Sequence, residues 1–76
     1  MDSDRDLGEQ PLARIMAELG LKAHDLVAAS VEPMTHKMVS RACKGRRLTR
    51  HIQVRVRDAL NRVTGRTYAL ENLFTY

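Results

Sequence analysis

The sequence predicts an all-α fold, a compact bundle of four to five short helices. Three observations carry this prediction. Apolar residues recur at helical spacing in successive segments, each bounded by a cap or a breaker. Hydrophobic residues make up 43% of the chain but aromatics only 4%, so Leu, Val, Ile, Ala and Met must fill the core. The chain has 76 residues, enough for one domain with a small core that buries roughly 60% of its unfolded surface.

Residues 1–8 carry three aspartates and no periodicity, which predicts a flexible acidic tail ahead of a single domain over 9–76. The first helix starts near Gln10, with Pro11 suited to the first helical position. Leu12, Ile15, Met16 and Leu19 then form one stripe expected to be buried. Gly20 stands where a left-handed C-terminal cap belongs. A second helix fits 23–30, with Ala23, Leu26, Val27 and Ser30 on one face. Pro33 ends it, because the residue before a proline is pushed out of the helical region. Thr35 is a good N-cap for a third helix over 36–44, and Gly45 closes it.

Leu48 is an apolar anchor in the next loop, and Thr49 caps a fourth helix over about 50–63. Here two periods compete. The stretch QVRVR alternates like a strand, whereas Ile52, Val56, Ala59, Leu60 and Val63 trace a longer helical stripe. The longer pattern decides for helix. Gly65 is its stop signal. In the terminal TYALENLFTY, Leu70, Leu73 and Phe74 have helical spacing. A short helical turn there lays Phe74, with Tyr68 or Tyr76, on the core or on a second subunit. The same segment is therefore a candidate homodimer contact.

Charge is unevenly spread. Residues 1–35 hold three basic and seven acidic side chains, while residues 36–66 hold ten basic and one acidic, Asp58. A basic block this clean is the footprint of a polyanionic partner. A solvated basic face without a partner is the blander alternative.

The third helix concentrates the signal. At ~100° per residue, Val39, Ala42 and Cys43 fall on one side, and Ser40, Lys44, Lys37 and Arg41 on the other. Such a helix fits the major groove of DNA, about 12 Å wide. Arg41 and Lys37 suit guanine edges, and His36, Ser40 and Lys44 complete the candidate base-reading set. Thr35 and the first backbone N–H groups suit a phosphate at the positive end of the helix dipole. Arg46, Arg47 and Arg50 suit further phosphates, which give affinity and register but no sequence reading. Arg55, Arg57 and Arg62 fit either the wet face of the fourth helix or contacts to a DNA backbone.

The helix over 23–30, the connection, the helix over 36–44 and the ending MVSRACKGRRLT together resemble the helix-turn-helix of the lambda-repressor-like superfamily, of Cro/CI and lac-repressor type. Val39 and Ala42 match the two buried positions of its second helix, and Gly45 matches the glycine that often closes that helix. Ala28 or Ala29 matches the small residue expected early in the motif. The likeness spans roughly residues 10–64. It departs at the turn, where Ser30-Val31-Glu32-Pro33 stands in place of the usual glycine. The resemblance implies that helix 36–44 is a recognition helix and that the chain is a small transcriptional regulator binding double-stranded DNA, reading two half-sites as a dimer. A small basic module binding RNA or an acidic protein through the same helix is the alternative.

Other chemistry finds little support. Cys43 is single, so there is no disulfide framework, and it reads as a small core residue. His24, His36 and His51 lack metal-ligand spacing. His36 and Ser40 lie at i and i+4, but no third orienting group or oxyanion loop accompanies them. The expectations are therefore no enzyme, no cofactor, no small-molecule ligand and no metal. MDSDRDLGEQ lacks the basic and apolar regions of a signal peptide, and no run approaches a membrane span of roughly 20 residues. A cytoplasmic location is expected, nucleoid-associated if the source is prokaryotic.

Overall fold

The computed structural model describes residues 7–76. Five helices follow in order: α1 (Pro11–Glu18), α2 (Ala23–Ala29), α3 (His36–Lys44), α4 (Arg50–Thr64) and α5 (Leu70–Leu73), with no strand among the described residues. No helix there is long and apolar enough to cross a membrane.

Helix α1 begins at Pro11, whose missing N–H costs nothing in the first turn. Its end is a Schellman motif: the Gly20 N–H returns to the Ala17 carbonyl (3.2 Å) and the Leu21 N–H to that of Met16 (2.8 Å). Leu12 and Met16 are buried as expected, but Leu19 is not: it is 37% exposed. The helix has already ended there, with Leu19 at φ −93° and ψ 0°. Leu21, just past the cap, packs on the core instead.

Helix α2 is opened by Asp25, whose carboxylate accepts from the Lys22 N–H at 2.8 Å. Leu26 is its fully buried anchor. Ser30 was expected as its last turn but is extended, and its hydroxyl donates to the Glu32 carbonyl at 2.6 Å. Ala29 is half-buried and Ala28 exposed. The connection over 30–35 buries Met34 in the core. It is also gripped from α4 by Arg55. The guanidinium donates to the Glu32 carboxylate (3.0 Å) and to the Pro33 carbonyl (3.0 Å), and it meets the His51 ring nitrogen (3.0 Å). Arg55 is thus a clamp on the α2–α3 connection. Arg57 is paired with its neighbour Asp58 at 2.9 Å.

Helix α4 confirms the helical stripe over the strand-like QVRVR. It buries Gln53, Val56, Ala59 and Leu60, with Ile52 and Val63 half-buried. Thr49 caps it by accepting from the Ile52 N–H at 3.3 Å. The helix packs against α2, α3 and α5. Beyond Gly65 the Asn61 side chain holds the chain from both sides, accepting from the Tyr68 N–H (2.8 Å) and donating to the Tyr68 carbonyl (3.2 Å).

That brace returns α5 to the core. Leu73 and Phe74 are buried in the cluster of Leu12, Leu26, Val39, Val56 and Leu60. The apolar residues that suggested a dimer contact are therefore occupied within their own chain. Tyr76 stacks near Phe74, with ring centroids 5.7 Å apart.

Of the expected flexible tail over 1–8, the first six residues lie outside the described residues. Leu7 and Gly8 lie against the end of α3: the Leu7 N–H donates to the Gly45 carbonyl at 2.9 Å. Gln10, 2% exposed, holds both termini. Its N–H bonds the Cys43 carbonyl (3.0 Å) and its side-chain amide the Gly8 carbonyl (3.0 Å). Its side-chain oxygen accepts from the Thr75 N–H (2.7 Å) and hydroxyl (3.0 Å). Gln10→Ala is expected to cost about 1–3 kcal/mol by leaving these groups without a partner. Urea unfolding checks this, and a loss below about 0.5 kcal/mol would mean that water replaces the amide freely.

Candidate nucleic-acid interface

The site is built on α3, and both ends of that helix are determined locally. At its start the Thr35 hydroxyl oxygen accepts from the Met38 N–H at 3.1 Å, and the Thr35 N–H meets the Met38 sulfur at 3.4 Å. At its end Gly45 adopts φ +86°. There the Gly45 N–H returns to the Ala42 carbonyl (3.3 Å) and the Arg46 N–H to that of Arg41 (3.0 Å).

The inner side of the helix is small and apolar. Val39 and Ala42 are buried at 1% and 0% exposure, and both positions agree with the sequence. Cys43 is half-buried, with its thiol 3.8 Å from the Met16 sulfur. Burial pushes the Cys43 thiol above its ordinary range, and the Glu9 carboxylate adds to the effect. The thiol thus stays protonated at neutral pH, which suits packing rather than nucleophilic attack. Short side chains let α3 approach its neighbours α1, α2 and α4 closely.

The outer side gathers the candidate base readers. His36, Lys37, Ser40, Arg41 and Lys44 are all exposed. Together with Arg46 they line one open concavity of about 450 Å³, with no acidic residue among its described lining. Among the described residues Lys37, Arg41 and Lys44 form no ion pair. Helix stability accounts for only part of this charge. Arg41 and Lys44 in the last turn favour the helix dipole, but Lys37 in the first turn opposes it. The first turn holds no acid to offset Lys37.

The candidate phosphate contacts divide. Arg46 lies with the α3 set, and Arg47 stands exposed beside it. Arg50 does not join them: it lines a separate concavity with Gln53, Glu71 and Thr75. Thr35 is exposed at the helix start, its hydroxyl oxygen engaged as the cap while its hydrogen remains free to donate. The N–H groups of His36 and Lys37 are first-turn donors with no intrahelical acceptor.

Tyr76 is a positioning residue that sequence reasoning did not assign. Its hydroxyl donates to the Arg46 carbonyl (2.9 Å) and accepts from the Leu48 N–H (3.3 Å). It thereby fixes the loop carrying Arg46 and Arg47. Nothing in the sequence signals a contact across thirty residues.

Another concavity, of about 360 Å³, lies between the α2–α3 connection and α4 and includes Val31, Arg55, Asp58 and Arg62. Its acids are paired, Glu32 with Arg55 and Asp58 with Arg57, so its field is mixed. Among the described residues, the concavity on α3 is lined by basic and neutral side chains alone. No group of three His, Cys, Asp or Glu among the described residues is placed to hold a metal ion. No protein-family profile, no curated protein and no solved structure matches the chain, so its surface chemistry must carry the functional argument.

Proposed function

We propose that the chain is a sequence-specific double-stranded DNA-binding protein, a small transcriptional regulator that places α3 in the major groove in the manner of a helix-turn-helix. The observation that carries this is the outward basic face that His36, Lys37, Ser40, Arg41 and Lys44 form on a helix with fixed ends. Arg41 and Lys37 have the donors that guanine O6 and N7 accept, and Ser40 and His36 can contact bases or phosphates. Arg46 and Arg47 supply backbone contacts from a loop held by Tyr76. The α2–α3 connection spans 30–35, longer than the ~3–4 residues usual in this motif. The Arg55 clamp holds that longer connection, so α3 still has a defined orientation.

Salt dependence tests the proposal. A contact set of about five phosphates gives a slope of log affinity against log salt near −4.5. Arg46→Ala should weaken all duplexes alike and bring that slope about one unit closer to zero. A flat salt response would favour an acidic protein partner instead. A loss confined to one duplex sequence would make Arg46 a base reader.

A further inference from the structure

We infer that the concavity between α4 and α5 binds a small zwitterion of amino-acid type, its carboxylate held from α4 and its ammonium from α5. This site is separate from the outward face of α3 and does not rest on the DNA-binding reading. It departs from the expectation of no small-molecule ligand.

Three observations lead to it. The first is a covered amide without a partner. Gln53 is only 9% exposed, yet its side-chain amide makes no hydrogen bond to any described residue. No side-chain nitrogen or oxygen among the described residues is both fully buried and unbonded, so this amide must reach the surface. It opens on the concavity of about 370 Å³ that Gln53 lines with Arg50, Leu70, Glu71 and Phe74. A polar group so well covered ordinarily has a partner. The second observation is a pair of separated charges. Arg50 on α4 and Glu71 on α5 are exposed and line this same concavity. Neither forms an ion pair with the other or with any described residue. The third is the rest of the lining. The Thr75 hydroxyl donates to the Gln10 side-chain oxygen, and the Tyr76 hydroxyl is engaged with Arg46 and Leu48. Leu70 and Phe74 are apolar.

The free groups are thus one cation, one anion and one amide. Arg50 and Gln53 stand three residues apart on α4, hence on one face. A guanidinium fork and an amide N–H together suit a carboxylate. Glu71 accepts from an ammonium, and Leu70 and Phe74 offer an apolar floor to the ligand body. A ligand with a single charge would leave the opposite wall without a partner. The volume falls at the small end of ligand pockets, about 300–1,000 Å³.

The test titrates the full chain with L-valine, L-leucine and L-methionine in turn, followed by backbone amide resonances. At least one should give saturating shifts at Gln53, Leu70 and Glu71, with half-saturation on the order of millimolar. Ser40 and Arg41 on α3 should not move. No saturating shift with any of the three would overturn the site. Two single-charge analogues of leucine, 4-methylpentanoate and 3-methylbutylamine, should bind far more weakly. An equal response to 4-methylpentanoate would overturn the zwitterion and leave a plain anion site. Arg50→Gln and Glu71→Gln lie at exposed positions, and each should weaken binding about tenfold. Their own amide spectra check that the fold is kept. Unchanged binding in either folded variant would overturn the proposal.

Discussion

Gly45→Ala is expected to destabilise the domain by about 2–5 kcal/mol, more than any other glycine substitution here. Two costs add. At φ +86° a residue with a Cβ pays roughly 1–2 kcal/mol for the left-handed conformation. A Cβ at Gly45 would also collide with the Gly8 carbonyl oxygen and press on the Gln10 amide nitrogen at 2.9 Å. The obstacle includes backbone, so the 7–10 segment must move as a unit. Its bonds from Leu7 to Gly45 and from Gln10 to Cys43 then break, at about 0.5–1.5 kcal/mol each. Gly65→Ala is the internal control. Gly65 has φ +71° but nothing within 4 Å of the new Cβ, so only the conformational cost applies. Urea unfolding of both variants separates the terms. Equal losses would show that the 7–10 segment yields freely and contributes nothing at this site.

The second large effect concerns recognition. Arg41→Ala should lower specific duplex affinity by about 1–3 kcal/mol and relax the preference at one base pair. Arg41 lies on the exposed face of α3 between Lys37 and Lys44, and no ion pair ties it down among the described residues. Its guanidinium offers a planar fork suited to the two acceptors of guanine. Arg41→Lys should recover non-specific affinity but not the base preference, because an ammonium is a point charge. Competition between the selected duplex and single-base variants measures this. A uniform loss across all variants would assign Arg41 to phosphate.

Helix α3 was legible because its determinants are local. Thr35 and Gly45 mark its ends through hydrogen bonds spanning three to five residues, and Val39 and Ala42 follow from helical period. The same logic separated the inner side from the cationic outer side. What escaped depends on distance along the chain. Gln10 meets Thr75 across 65 residues, Tyr76 meets Arg46 across 30, and Arg55 meets Glu32 across 23. None of these contacts has a periodic signature, since each joins a polar side chain to whatever partner the tertiary packing delivers.

Other differences follow from where helices stop. Leu19 kept the spacing of a buried residue but sits beyond the last helical turn, where periodicity no longer sets direction. Arg50 follows Arg46 and Arg47 closely, yet the rotational phase of α4 turns it toward Glu71 and Thr75. That phase is set by the packing of Val56, Ala59 and Leu60 rather than by the loop sequence. For Leu73 and Phe74 the spacing indicated burial but not which chain would supply the cover, and they pack on their own core.

The central proposal is that the basic outward face of α3 reads duplex sequence. Selection of bound duplexes from a random pool by the full chain, at low and at moderate salt, tests it most directly. The expected result is one enriched motif whose share of the bound pool grows with salt, as non-specific contacts fall away. Binding that enriches no sequence at either salt would contradict the claim.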